Sequence, residues 1–431
     1  MLMIALMGLS ILIPLLVGLP IAVTLGAAGL IWIVLYDPGL VYGAAYSVWS
    51  TSTAEVLASI PLFLLMGEII QRSNIAGKFY DATSLWLRNI PGGLLHSNIV
   101  ACAVFSAVSG SSTATAATIG TTALPNLRRL NYGKKLTFGT IAAGGTLGIL
   151  IPPSVPLIIY ASMVEASIGR LFVAALIPGV LMAVIFMAYT LLASRISDQG
   201  LPKREKLTVS FSDRIQSIKA MIPLLMIIVI VLGGIYLGWT TAAEAAALGV
   251  LVSAGVAAVE RRLNLKMMLE SLRSSARFSA MIMFVIVGAN IFSFAVFTWG
   301  FGRDIADFVA SLPYHPAMII AIISLIYLVI GMFVDPISIM VMTIPVIFPV
   351  VIGLGYDPIW FGIVLVLLLE VGLITPPVGM NLFAIQAIDP KNISLGEVAQ
   401  GAFPFVLLLL LGVVLLVMYP SIALWLPKTM M

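Results

Sequence analysis

The chain has 431 residues, 61% of them hydrophobic and only 9% charged, with a formal net charge of +4. Soluble globular domains run nearer half apolar and a quarter charged, so a water-soluble domain is excluded and the chain reads as a membrane protein. Its basic excess belongs to cytoplasmic loops before nucleic acid, and the single cysteine, Cys102, excludes an internal disulfide or a thiolate metal cluster.

Taken in order, the predicted spans cover 2–17 and 20–36, as one broken element or two, then 54–71, 94–126, 136–164, 171–193, 220–238, 243–259, 278–299, 315–351, 359–388 and 402–426. No basic segment precedes the run that begins at Leu2, so it reads as a retained span and not a cleaved signal. The runs do not alternate as the ~10-residue strands of a membrane barrel would. The fold class is therefore an all-α polytopic membrane protein, one membrane domain over 1–431. Helices over 1–72 and 171–299 flank two equivalent parts, 94–164 and 315–388, and 402–426 is a C-terminal helix.

Sidedness follows from the basic residues. Arg72, Lys78 and Arg88 form one group, and Arg128, Arg129, Lys134 and Lys135 a second. Arg195, Lys203, Arg204, Lys206, Arg214 and Lys219 form a third, Arg261, Arg262, Lys266, Arg273 and Arg277 a fourth, and Lys391 stands alone. If all of these are cytoplasmic, the stretch 94–126 must enter and leave on one face. Its centre, Ser109-Gly110-Ser111-Ser112, suits a tight turn. By the same count 315–351 dips in from the opposite face and turns over Gly331 to Pro336. Irregular backbone at that depth survives only where protein or a water-filled cavity satisfies it, which makes both turns site candidates.

An internal repeat appears at a shift of 224 residues. Pro125 falls on Pro349, Tyr132 on Tyr356, Gly148 on Gly372, and Pro152-Pro153 on Pro376-Pro377. Because the two hairpins enter from opposite faces, the repeats are inverted, the architecture of secondary transporters with a site near the midplane.

Each turn leaves helix carbonyls free on one arm and amides free on the other; the first attract cations and the second anions. Ser111, Ser112 and Thr113 suit the N-cap of the returning arm, as does Asp335 in the second copy, where Pro336 follows it. Capping is part of their role, and ion or substrate contact is the further expectation. The Pro-Pro strings, Gly148 to Pro156 and Gly372 to Gly379, must be unwound, exposing carbonyls that Na⁺ would satisfy. Asp335, Glu370 and Glu68 are the acids nearest membrane depth, and an intramembrane carboxylate leaves proton coupling open. Glu244, opening a span, reads as first-turn stabilisation. His96 and His315 each begin a hairpin arm, but no triad is evident, so an intramembrane hydrolase is a minor alternative.

At these strings the sequence resembles a known family. The segments from Ser109 to Gly120, Ala142 to Pro156, Thr241 to Ala247 and Gly372 to Asn381 are similar to the large membrane subunit of tripartite ATP-independent periplasmic (TRAP) transporters. The resemblance implies uptake, not enzyme activity, in a bacterial inner membrane. It implies a small four-helix membrane subunit and a periplasmic substrate-binding protein as partners, and an organic acid such as a C4-dicarboxylate or sialic acid as substrate. It further implies Na⁺ coupling at two sites and an elevator-type motion of hairpins and Pro-Pro helices, 94–164 and 315–388, past a scaffold of the helices over 1–72 and 171–299. Matching motif to motif, the first Na⁺ would be held by Ser106, Ser109, Gly148, Ile151 and Pro153, and the second by Gly331, Gly372, Thr375 and Val378. Ser111, Ser112, Thr113, Asp335 and Asn381 are the candidate substrate contacts. Related carboxylate symporters that work without a binding protein are the alternative, but their Ser-Asn-Thr hairpin tips are absent here.

Overall fold

A computed structural model describes residues 2–196 and 211–430. Among the described residues the regular elements are all helices: α1 Leu2–Leu16, α2 Ile21–Tyr36, α3 Val41–Ser52, α4 Glu55–Arg72, α5 Ile75–Leu87, α6 Leu94–Ser109, α7 Ser112–Arg129, α8 Lys134–Leu150, α9 Val155–Val164 and α10 Ile168–Ile196. They continue with α11 Phe211–Tyr236, α12 Ala242–Val259, α13 Leu265–Thr298, α14 Phe301–Ala310, α15 Pro316–Gly331, α16 Pro336–Gly353, α17 Pro358–Leu373, α18 Met380–Gln386, α19 Leu395–Met418 and α20 Ser421–Met430.

Local chemistry sets the breaks. Gly18, at φ +91°, and Pro20 divide the first apolar run, which is therefore two helices. Asp37 accepts from the Gly39 amide at 2.8 Å and turns the chain into α3. Thr241 and Glu244 form a reciprocal capping box at the start of α12, the first-turn role expected of Glu244. In place of one C-terminal helix over 402–426 there are two, separated at Tyr419-Pro420.

Among the described residues seven helical segments, one of them α8 and α9 taken together, are long and apolar enough to cross a membrane. The hairpin arms α6 and α15 are not: 16 residues each rise only about 24 Å, against about 30 Å of hydrocarbon. They enter, stop and return through α7 and α16.

The repeat is visible element by element. Displaced by 224 residues, α7 coincides with α16 at both ends, and α8 with α17 to within a residue. The two copies run antiparallel. The Tyr160 hydroxyl near the end of α9 donates to the Pro358 carbonyl at the start of α17, at 2.6 Å. Conversely Arg128, at the end of α7, pairs with Asp389 just past α18. The base of the first hairpin, where the Leu94 amide donates to the Tyr132 hydroxyl at 3.3 Å, therefore lies at the opposite end from the base of the second.

Lipid tails are as apolar as leucine, so close packing holds such helices together. α2 and α13 approach until a Cβ on Gly288 would stand 2.2 Å from the Ala22 carbonyl oxygen, which only glycine permits. Every residue of α17 after Pro358 is buried. α10, within the stretch read as scaffold, lies across α8 and α17 beside α19, with Phe186 edge-on to Phe405 at 5.4 Å. Outward faces carry exposed Ile222, Val229, Leu325 and Leu407 toward lipid.

Polar contacts gather the basic groups at one end. Arg72 meets Glu68 and Glu270, Lys78 pairs with Glu260, Lys134 with Glu397, and the Trp86 indole donates to Ser217. The stretch 72–90 is not an open loop, since α5 occupies most of it. Lys203, Arg204 and Lys206 lie outside the described residues.

Candidate functional site

Two hairpin tips and two unwound strings form the site. α6 ends at Ser109, and Gly110, at φ +60°, takes the left-handed conformation that closes the turn. Ser111 is then the N-cap of α7, its hydroxyl accepting from the Ala114 amide. The tip is tied by hydroxyls: Ser109 donates to the Ser111 carbonyl at 3.1 Å, and Thr115 reaches the same carbonyl at 2.8 Å. Ser112 donates to the Thr146 carbonyl on α8 at 3.1 Å, while Thr113 lies 3.4 Å from the Ser111 hydroxyl. Ser106 donates back to the Cys102 carbonyl and is fully buried.

Against this tip lies the first break. α8 stops at Leu150, Ile151 is extended, Pro152-Pro153 is joined by a cis peptide bond, and Ser154 caps α9. Pro152 has no N–H to offer the Gly148 carbonyl, which loses its helical donor. A Cβ on Gly148 would stand 2.6 Å from the Ser111 carbonyl oxygen, and one on Gly110 would stand 3.1 Å from that of Pro153. Ser109, Gly148 and Pro153 are therefore brought together. Ile151 belongs to the same string, and its side chain packs against Gly179 of α10.

The second copy repeats this with different atoms. Asp335 caps α16, accepting from the Ser338 amide at 3.0 Å. A Cβ on Gly372 would stand 2.6 Å from the Gly331 carbonyl oxygen. The Val378 amide donates to the Met332 carbonyl at 3.1 Å, and Thr375 donates to the Val371 carbonyl at 2.6 Å. Pro376-Pro377 is again cis. Gly331, Gly372 and Val378 meet at the tip, with Thr375 in the string beside them.

Each broken element then crosses to the other repeat. α9 lies on α16, and α18 lies on α7 and α8. Asn381 of α18 is fully buried and donates to the Ala142 carbonyl of α8 at 3.4 Å, leaving Oδ1 unpartnered. At the end of this contact Arg128, with Asn392, holds the Asp389 carboxyl below the usual carboxylate range.

The donor set suits a hard cation. No cluster of three His, Cys, Asp or Glu residues occurs among the described residues, and the tips offer hydroxyl and carbonyl oxygens, the ligand type hard cations take. Of the three candidate acids, Glu68 is paired with Arg72 at 2.9 Å. Glu370 is fully buried with neither oxygen partnered. His96 meets the Pro91 carbonyl and His315 caps α15, so neither is bonded to a serine.

One polar feature was not legible beforehand. Where α9 and α16 face α3 and α13 there is a cavity of about 10 Å³, room for one water, lined by Thr51, Ser162 and Asn290 among apolar side chains. The Asn290 Nδ2 has no partner. An asparagine inside the apolar run 278–299 was the available signal.

The family described as "Tripartite ATP-independent periplasmic transporter, DctM component" matches residues 8–422. The C4-dicarboxylate TRAP transporter large permease protein DctM of Pseudomonas aeruginosa is 35% identical over 406 residues, covering 94% of each chain. The sialic acid TRAP transporter large permease protein SiaM of Vibrio cholerae is 28% identical over 414 residues, 95% of each. Among solved structures, the YdaH transporter of Alcanivorax borkumensis, described as having an unusual topology, superposes with a TM-score of 0.62 at 13% identity, covering 89% of each chain. That likeness is one of fold.

Proposed function

This chain belongs to the DctM component family of the tripartite ATP-independent periplasmic transporters, a multi-pass permease and not an enzyme, and we propose that it moves a small organic acid into the cell on a Na⁺ gradient. The substrate class is a C4-dicarboxylate, a sialic acid or a similar carboxylate, as in the names of its relatives. A periplasmic binding protein delivers it, a small four-helix membrane subunit completes the permease, and the bacterial inner membrane houses both.

The observation that carries this reading is the paired arrangement of tip and string. Ser109, Gly148 and Pro153 converge in one repeat, and Gly331, Gly372 and Val378 in the other, with Asn381 joining the two. Na⁺ would be held by Ser106, Ser109, Gly148, Ile151 and Pro153 at the first tip, mostly through backbone carbonyls, and by Gly331, Gly372, Thr375 and Val378 at the second. Bound there, it offsets the helix carbonyl ends and links each tip to its string. The amide ends capped by Ser111 and Asp335, with Ser112, Thr113 and Asn381, face the substrate carboxylates. α6–α9 and α15–α18 then move as the carrying part past α2, α4, α12 and α13.

Uptake of a panel of labelled organic acids by liposomes holding this chain and its small subunit, with and without the binding protein, tests the reading. Flux that requires the binding protein supports it. Full uptake by the purified chain alone supports a binding-protein-independent carboxylate symporter.

A further inference from the structure

α13 has 34 residues and is about 51 Å long, some 20 Å more than the hydrocarbon core. Its apolar part begins at Phe278, so the turns before it emerge at headgroup level, beside the end of α4. Between them is a cavity of about 350 Å³ lined by Arg72, Glu270, Arg273, Ser274, Arg277 and Phe278.

Its charges are unequally committed. Arg72 is engaged through all three nitrogens, with Nε to Glu68 and Nη1 to Glu270, both at 2.9 Å, and Nη2 to the Ser274 hydroxyl at 3.1 Å. Both nearby acids are thereby used. Arg273 and Arg277 are exposed and have no ion pair or hydrogen bond among the described residues. They sit one turn apart on one face, where like charges repel unless an anion lies between them. The same face continues into the hydrocarbon as exposed Met281 and Phe284.

We propose that this cavity binds the phosphodiester of an anionic phospholipid, with Arg273 and Arg277 bracketing the phosphoryl oxygens and the acyl chains lying along Met281 and Phe284. Guanidinium groups match phosphate geometry in bidentate fashion, and basic pockets between membrane helices collect anionic headgroups. The apolar stripe directly below the arginines selects a lipid over free phosphate.

The test is native mass spectrometry of the purified chain in detergent with added phosphatidylglycerol or phosphatidylcholine. The parent retains phosphatidylglycerol preferentially, and millimolar inorganic phosphate does not displace it. Arg273→Gln with Arg277→Gln lowers that retention by about 5-fold per arginine and about 25-fold for both, with the thermal melt unchanged. The control pair Arg129→Gln and Arg262→Gln removes equal charge from exposed sites elsewhere and leaves retention intact. Equal retention of the two lipids, or equal loss in both double variants, overturns the proposal. Displacement by inorganic phosphate overturns the lipid and leaves a free-anion site.

Discussion

Ser111 and Asp335 hold the same place in the two inverted repeats: each caps the returning arm of its hairpin and accepts from the amide three residues on, Ala114 in one and Ser338 in the other. The equivalence is of backbone, while the charge differs. A carboxylate in the second tip and a hydroxyl in the first give the two ends of the site unlike electrostatics.

Asp335→Asn separates these roles. Asparagine caps a helix as well as aspartate does, whereas alanine forfeits about 1 kcal/mol. The expectation is an unchanged melting temperature for Asp335→Asn, a lowered one for Asp335→Ala, and reduced uptake in both. Uptake by Asp335→Asn equal to the parent assigns Asp335 to capping alone.

Gly148→Ala and Gly372→Ala each drive a methyl to 2.6 Å from a backbone oxygen of the facing tip. Backbone cannot rotate away, so each costs about 1 to 3 kcal/mol and separates tip from string. Both variants are expected to lose uptake at normal membrane abundance. Gly233→Ala in α11, with no atom within 4 Å of its added methyl, is the matched control and keeps full activity.

Sidedness is open to labelling because the one native thiol, Cys102, is buried. Asn131 and Gly355 have positive φ, which makes them poor sites for cysteine. Arg129→Cys and Arg262→Cys on one end, and Tyr314→Cys on the other, avoid that. A membrane-impermeant maleimide added outside whole spheroplasts is expected to label position 314 and spare 129 and 262; the reverse pattern inverts the topology.

The Arg128–Asp389 contact closes the base of the first hairpin against the end of α18. Its Asp389 carboxyl is depressed by the Arg128 hydrogen bond first and by Asn392 next. A depressed folded-state value means that its contribution is present above the unfolded carboxylate range, near pH 4, and is lost as pH falls through the folded value. The melting temperatures of parent and Asp389→Asn are expected to differ at pH 6 and converge toward pH 3. Exposure keeps the difference small, and a gap that widens on acidification contradicts the assignment.

Much of this was legible in the residues. Ser109-Gly110-Ser111-Ser112 marks a turn whatever surrounds it, and a Pro-Pro pair must break a helix, so both tips and both strings could be placed. The 224-residue register joined them, and element ends agree with it. α3, α5 and α14 were not legible, since they are short helices that carry polar residues and match no membrane-length apolar window. The start of α13 was hidden for a related reason: hydropathy ends at Arg277, but the helix does not. The crossing of α9 onto α16 and α18 onto α7 depends on contacts roughly 180 and roughly 260 residues apart, and no local pattern encodes them. Asn290 was lost among apolar neighbours, and its cavity exists only where four helices meet.

The central claim is that the two tip-and-string junctions bind Na⁺ that drives uptake. It is tested most directly by accumulation of a labelled C4-dicarboxylate, presented on its binding protein, in liposomes holding both membrane subunits. One arm has an inward Na⁺ gradient, and the other has an inward pH gradient without Na⁺. The account predicts accumulation in the Na⁺ arm alone. It also predicts that Ser109→Ala and Thr375→Val, each losing one ligand worth about 1 to 3 kcal/mol, shift the Na⁺ titration by roughly 5- to 150-fold. Accumulation driven by the pH gradient without Na⁺, or Na⁺ curves unmoved in both variants, would contradict it.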